Sequence, residues 1–422
     1  MKRLQQSFVV LLLLLASCYD ATVLAALLTE PIFGSANYTE VMWDYVGEES
    51  CLRELITRGD EERVELIFLL SAVHIAQKPL SEFCSTKHLG HPKSLSQIKQ
   101  MFDQYTHYRQ HSFWPSQKSG RLGITITESH GNIVVAGVPR GSSAEQAGIR
   151  RYDLIRQLGG VSVHGVDEAV SHARGIPGTK VSVLIERGGV RYQKIVKRST
   201  VIFPEFEFDI VGKRGYLRVT SFDAPNMIYQ IEENAMAEFK KHAVVSLLLD
   251  LRGNPGGGVI TALRFLGMFQ GHVLAYLEEE PYLDAHNKIM SDDREPVWIA
   301  HLPIVVLIDD LSFSVAEMVA GNFQYRRRGL LVGRRTGGKG VVQTSVILST
   351  LQILDLTTSY WFLPNGASVV GDGLKPDIYL DDSSLEARLS YPEADDYYQN
   401  DHDLLMGFAI LDSRLESMSN KK

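Results

Sequence analysis

One stretch constrains this 422-residue chain more than any other: Leu247-Leu248-Leu249-Asp250 running into Leu251-Arg252-Gly253-Asn254-Pro255-Gly256-Gly257-Gly258. Three consecutive leucines need apolar neighbours on both faces, as in a central strand covered by helices on each side. The proline and glycines then stop any regular element. Helical spacing begins again at Val259, so the segment reads strand, tight turn, helix. Further strands are expected at Gly215–Val219, Val244–Leu251, Val273–Leu277, Pro303–Asp309, Leu330–Gly333, Val341–Leu348 and Ile353–Trp361. Helices are expected at Ile228–His242, Val259–Gln270 and Ser314–Arg327. This alternation places residues 200–380 in the α/β class.

The flanking regions differ in texture. Residues 30–117 carry helical spacing at Tyr38–Arg58, Glu61–Ala76 and Ser94–Tyr108. Residues 118–199 are rich in glycine and β-branched residues, with strands expected at Leu122–Ile126, Ile133–Val135 and Lys180–Glu186 and a helix at Val166–Arg174. Residues 381–422 are acidic and then amphipathic over Leu404–Leu415. The expected architecture is therefore a multidomain α/β chain. Hydrophobic residues make up 45% and charged residues 22%, which excludes wholesale disorder and a polytopic membrane protein. A net charge of −7 argues against general nucleic-acid binding.

Lys2 and Arg3 precede an apolar run from Phe8 to Ala16, the pattern of a secretory signal over residues 1–17. Leu15-Ala16-Ser17-Cys18 resembles the bacterial lipobox, which would place an acylated Cys18 at the mature N-terminus, followed by a linker over residues 18–29. Alternatively, Cys18 is an incidental residue of a signal cut further on. Tyr19 in place of Asp carries no inner-membrane retention signal and favours the outer membrane of a bacterial envelope, facing the periplasm. Lipidation would leave Cys51 and Cys84 as an even pair. A bridge between them would stabilise by roughly 3–4 kcal/mol in the chain-entropy model, and two buried free thiols are the other reading. No Cys-x-x-Cys spacing suggests a metal site.

Several catalytic patterns are absent, namely His-Glu-x-x-His, Gly-x-Ser-x-Gly and Gly-x-Gly-x-x-Gly. Gly333 to Gly340 imitates a phosphate-binding loop, but Gly340 stands where a hydroxyl should hold magnesium, and a strand-like segment follows. No cofactor is expected. Three other segments carry chemistry. The Gly256-Gly257 turn aims backbone N–H groups at one point, which suits an oxyanion or simply makes a tight turn. Ser314 opens a helix, and Ser314-x-x-Glu317 is a capping box that would also place a serine beside free N–H groups. Lys339, flanked by glycines, is either a solvated loop lysine or a buried amine able to take a serine proton.

These segments, in this order, resemble the carboxy-terminal processing peptidases, or tail-specific proteases. Asp250 to Gly257 resembles the family's strand-turn signature, Ser314-x-Ala316-Glu317 its nucleophile segment and Gly333 to Gln343 its lysine segment. The 25-residue spacing from Ser314 to Lys339 fits. Leu356-Thr357-Thr358, Pro364-Asn365-Gly366 and Pro376-Asp377-Ile378 resemble its closing strands. Residues 118–199 resemble a bacterial PDZ domain, through Arg121-Leu122-Gly123-Ile124 and Gly141 to Ile149. The resemblance implies a core related to crotonase and Clp protease. It also implies a Ser314–Lys339 dyad oriented by Gln343, with oxyanion donors at Val315 and the Gly256-Gly257 turn. The PDZ would receive a peptide C-terminus at Leu122, Gly123 and Ile124, with Arg174 as a further contact. The implied substrates are proteins with accessible, apolar tails, and homo-oligomers are compatible. The alternative is a lipid-anchored PDZ adaptor on an inactive core. Three features depart from the pattern. Phe313 replaces a small residue, Gly337 stands where an aromatic is common, and no Asp-Pro-His-Ser stretch is recognisable around His111 to Pro115.

Overall fold

The computed structural model describes residues 107–110, 120–129, 131–200, 205–224, 226–269, 273–278, 287–290, 297–347, 352–380 and 401–419. The expected signal segment, Cys18, Cys51, Cys84 and the helices proposed before residue 94 lie outside them. The chain divides into two compact units. Strand β1 (His107–Gln110) corrects one expectation, since His107 and Tyr108 are strand residues paired with Asp355 and Leu354. The helix expected over Ser94–Tyr108 does not reach its predicted end, because long-range pairing overrides local spacing.

In the larger unit, residues 120–199 fold around a sheet of β2 (Thr125–Ser129), β3 (Asn132–Gly137), β4 (Leu154–Leu158), β5 (Val161–Ser162), β6 (Lys180–Arg187) and β7 (Val190–Lys197). The order is β2-β3-β4-β6-β7, with β5 beside β4, so β2 is an edge. Helices α1 (Ser143–Gln146) and α2 (Val166–Ala173) complete the domain. Its interior is aliphatic, including Val135, Leu158, Val183, Ile185 and Val196. Ser142 caps α1 by accepting from Glu145 N at 3.1 Å, and the Glu145 carboxylate accepts from Gly141 N at 2.6 Å. The strand expected over Leu122–Ile126 begins only at Thr125, because Gly123 has φ 77° and turns the chain.

The second sheet of this unit is built from β8 (Phe206–Val211), β9 (Arg214–Val219), β10 (Ser246–Asp250), β13 (Ile304–Ile308), β14 (Leu330–Gly333) and β17 (Ile378–Tyr379). Its order is β17-β14-β13-β10-β9-β8, parallel except at β8–β9. Every residue of β10 and β13 is buried, as the leucine run requires. The helix expected over Ile228–His242 forms as α3 (Met227–Gln230), a π-helical stretch (Ile231–Met236) and α4 (Ala237–Lys241). Helices α5 (Val259–Gly267) and α6 (Val315–Tyr325) pack against each other. Helix α7 (His402–Ser419) covers the sheet by packing Leu404, Phe408 and Leu411 with Leu248, Leu307 and Val332. Strands β11 (Val273–Glu278) and β12 (Asn287–Met290) follow α5. In the smaller unit, β15 (Val341–Ile347) and β16 (Gln352–Phe362) pair antiparallel, with a register shift between Val342 and Gln343.

Candidate active site

The turn after β10 is held by buried charge. Arg252 donates to both oxygens of Asp250, at 2.9 and 2.7 Å, and to both oxygens of Asp401, at 2.8 and 2.9 Å. Burial alone would push the Asp250 carboxyl up. The Arg252 guanidinium outweighs it and holds the group well below the ordinary carboxylate range. Asn254 then shapes the glycines: its amide donates to Val219 O at 2.9 Å and its Oδ1 accepts from Gly256 N at 2.9 Å. Gly256 and Gly257 adopt φ 107° and 133°, which side-chain-bearing residues avoid. A Cβ on Gly256 would lie 2.8 Å from Ser314 Cβ and 3.3 Å from its Oγ, so the turn abuts Ser314.

Asp309 orders the turn before Ser314 by accepting from Gly253 N at 2.9 Å, Leu311 N at 3.1 Å and Ser312 Oγ at 3.1 Å. The Tyr152 hydroxyl of the PDZ-like domain donates to its other oxygen. Val134 and Ala136 of β3 pack on Leu311. Ser314 itself has φ 56°, strained for a residue with a side chain, and begins α6. Among the described residues, no hydrogen bond uses the N–H of Val315 or of Gly257. The Gly256 N–H is taken by Asn254. Of the two expected glycine donors, Gly257 is therefore the one that keeps its N–H available.

Glu317 joins the serine and lysine segments. Its Oε2 accepts from Ser314 N at 2.9 Å and from Lys339 N at 2.8 Å. Its Oε1 accepts from Thr336 Oγ1 at 2.6 Å and Gly338 N at 2.8 Å. Burial pushes this carboxyl above its usual range, while those donors pull the other way. One carboxylate oxygen thus holds the backbones of Ser314 and Lys339 together, with both side chains half-buried. Sequence reasoning assigned Glu317 only to the helix cap and missed this second task, because the Lys339 loop is distant in sequence. It also missed Asp309 and Tyr152, for which no local motif exists.

The remaining expected residues fall as follows. Gln343 lies on β15 of the smaller unit, at the register shift. Leu122 is buried, with its carbonyl accepting from Ala144 N at 3.1 Å, and Gly123 and Ile124 lead into edge strand β2. Arg174 ends α2, half-buried. Two of the three departures from the family pattern, Phe313 and Gly337, compensate each other. A Cβ on Gly337 would come within 1.8 Å of the Phe313 ring, so Phe313 fills the space that a side chain at 337 would take.

Residues 213–380 match the sequence model of peptidase family S41, and residues 120–197 match that of the PDZ domain. A probable CtpA-like serine protease of Staphylococcus aureus is 26% identical over 339 residues, covering 77% of this chain and 67% of the relative. One from Staphylococcus epidermidis is 26% identical over 319 residues, covering 72% and 63%. The solved photosystem II D1 C-terminal processing protease is similar in fold, with TM-score 0.60 at 23% identity over 75% of this chain and 93% of that one. A putative S41 protease from Bacteroides fragilis gives TM-score 0.52 at 20% identity over 74% and 87%. Residues 213–380 are thus a peptidase family S41 domain and residues 120–197 a PDZ domain, which together with the CtpA-like relatives mark the chain as a serine peptidase.

Proposed function

We propose that this peptidase cleaves near protein C-termini with a Ser314–Lys339 dyad. Lys339, as the neutral amine, takes the Ser314 proton, and Gln343 orients the amine. Ser314 Oγ attacks the scissile carbonyl, and the N–H groups of Val315 and Gly257 hold the oxyanion. Lys339 then protonates the leaving amine, and water, deprotonated by the same amine, releases the acyl group. The observation that carries this reading is the single Glu317 oxygen that accepts from both Ser314 N and Lys339 N.

The PDZ domain, in the same proposal, captures the substrate tail. An apolar C-terminal segment adds as a strand to the open edge of β2, with its carboxylate on the Gly123 and Ile124 N–H groups. Arg174 is a further contact for that carboxylate. The envelope location and the Cys18 lipid anchor belong to the proposal as well, carried by the first 18 residues.

The test is cleavage of an unfolded protein with an apolar tail by wild type, Ser314→Ala and Lys339→Ala. We expect both variants to lose at least about 10³-fold in kcat. The wild-type rate should rise with pH as the amine loses its proton. Cleavage persisting in both variants would overturn the dyad, and an inert wild type that still binds tails would favour the adaptor.

A further inference from the structure

A carboxylate with no cationic partner among the described residues stands beside the glycine turn. The chain at Phe222 runs parallel to Gly257, with Phe222 N donating to Gly256 O at 2.8 Å and Gly258 N donating to Phe222 O at 3.1 Å. Phe222 is buried, while Asp223, next in line, is exposed. A Cβ on Gly257 would lie 2.8 Å from Asp223 Oδ1, just as one on Gly256 would lie 3.3 Å from Ser314 Oγ. The Asp223 carboxylate and the Ser314 hydroxyl therefore border the same pair of glycines.

No Lys, Arg or His among the described residues forms an ion pair with Asp223. Its charged neighbour is Glu205, another carboxylate, whose Oε2 accepts from Ala224 N at 2.7 Å. Burial raises the Glu205 carboxyl, and the Asp223 charge adds to that rise. Among the described residues, no cation pairs with the negative charge that Asp223 brings to this rim of the turn. Such a charge opposes a developing oxyanion unless the substrate brings a cation.

We infer that Asp223 determines specificity, favouring a lysine or arginine side chain next to the scissile bond and disfavouring an acidic one. The inference rests on the reading of Ser314 and Gly257 as catalytic. A basic substrate side chain pairs with the carboxylate and neutralises it as the oxyanion forms, so the preference appears in kcat/KM. Rim charges remain partly screened, so the preference weakens with added salt.

The experiment uses the full chain and unfolded peptides sharing one apolar tail, with the cleaved bond mapped by mass spectrometry. Lys, Gln or Glu is then placed at the residues flanking that bond. We expect kcat/KM to fall in the order Lys, Gln, Glu, with about tenfold between the extremes. Asp223→Asn should flatten the series to within about twofold and Asp223→Lys should invert it. Circular dichroism checks that both variants fold, and Asp223→Ser repeats the measurement on a second neutral side chain. A wild type indifferent to charge, or a preference unchanged in Asp223→Asn, overturns the inference. Ser314→Ala separates this failure from that of the underlying reading. Cleavage that persists in Ser314→Ala removes the catalytic serine and the inference with it, whereas lost cleavage with an unchanged charge preference removes only the role of Asp223.

Discussion

The PDZ domain and the turns around Ser314 are stabilised in opposite ways. The PDZ core cluster is aliphatic, with Val135, Leu158, Val183, Ile185 and Val196 fully buried, and its fully buried polar residues are few, among them Ser142 and the Arg187-paired Asp153. Around the Ser314 turns the buried residues include Asp250, Arg252, Asn254, Asp309, Ser312, Glu317, Arg334 and Thr336. Aliphatic packing is non-directional and tolerates small rearrangements. Buried hydrogen bonds are directional, and an unmet one costs about 1–3 kcal/mol. The Ser314 region therefore has its backbone positions set by polar contacts, while the PDZ is set mainly by volume. Equal damage should register as lost rate in one region and as lost stability in the other.

The largest effect should come from Glu317. Replacing it with leucine strands the N–H groups of Ser314, Gly338 and Lys339 and the Thr336 hydroxyl. Each stranded group costs about 1–3 kcal/mol, less where the loop swings out to water. We expect kcat to fall by at least about 10³-fold, because the serine and lysine segments lose their common anchor. Glu317→Gln keeps the shape but turns amide hydrogens toward some of these donors, so it should fall between wild type and leucine. Single-turnover kinetics with thermal unfolding checks both, and a Glu317→Leu enzyme of normal kcat would refute the anchoring role.

Arg252 tests the same region through stability. It pairs with Asp250 and Asp401 while almost fully buried. Arg252→Ala takes the ion-pair partner from buried Asp250, while Asp401 keeps Arg151 at 3.5 Å; breaking a buried pair typically costs about 3–5 kcal/mol. The pH dependence follows in sign. The folded-state pKa of Asp250 is depressed below its ordinary 3.8, so the pair's contribution is fully present above that value. It is lost as pH falls toward the folded-state pKa. Urea midpoints should therefore drop for wild type below about pH 4 and drop less for Arg252→Ala, where the depressing partner is gone.

The parts legible in the sequence were those with local signals. The run Leu247-Leu248-Leu249 marked a central strand, and β10 is buried along its whole length. Gly256 and Gly257 marked a turn, and their φ values show why no other residue suits. Tyr152 on Asp309 and Asp401 on Arg252 carry no local pattern, since each joins segments far apart in the chain. Phe313 and Gly337 each looked like a departure when read alone. Together they are one exchange, with the ring supplied from 313 in place of 337. The strand at His107–Gln110 was misread for the same reason, its partner lying on β16.

The smallest effect should come from the PDZ interior. Ile185 is fully buried on β6 among aliphatic side chains. Ile185→Val removes one methylene, for which about 0.5–1.5 kcal/mol is usual. No directional contact to the catalytic turns passes through this side chain. Cleavage of a short peptide lacking a PDZ-binding tail should then keep its kcat, while the urea midpoint falls. One directional contact that does join the two regions is Tyr152 on Asp309, so Tyr152→Phe should do the reverse. It removes one hydroxyl from the surface of the PDZ yet withdraws a donor from the carboxylate that sets the nucleophile turn. If Ile185→Val lowered kcat on the tail-less peptide as much as Tyr152→Phe does, the distinction between a volume-set domain and a bond-set site would fail. If only Tyr152→Phe did, the hydroxyl would be a route by which the PDZ influences the serine.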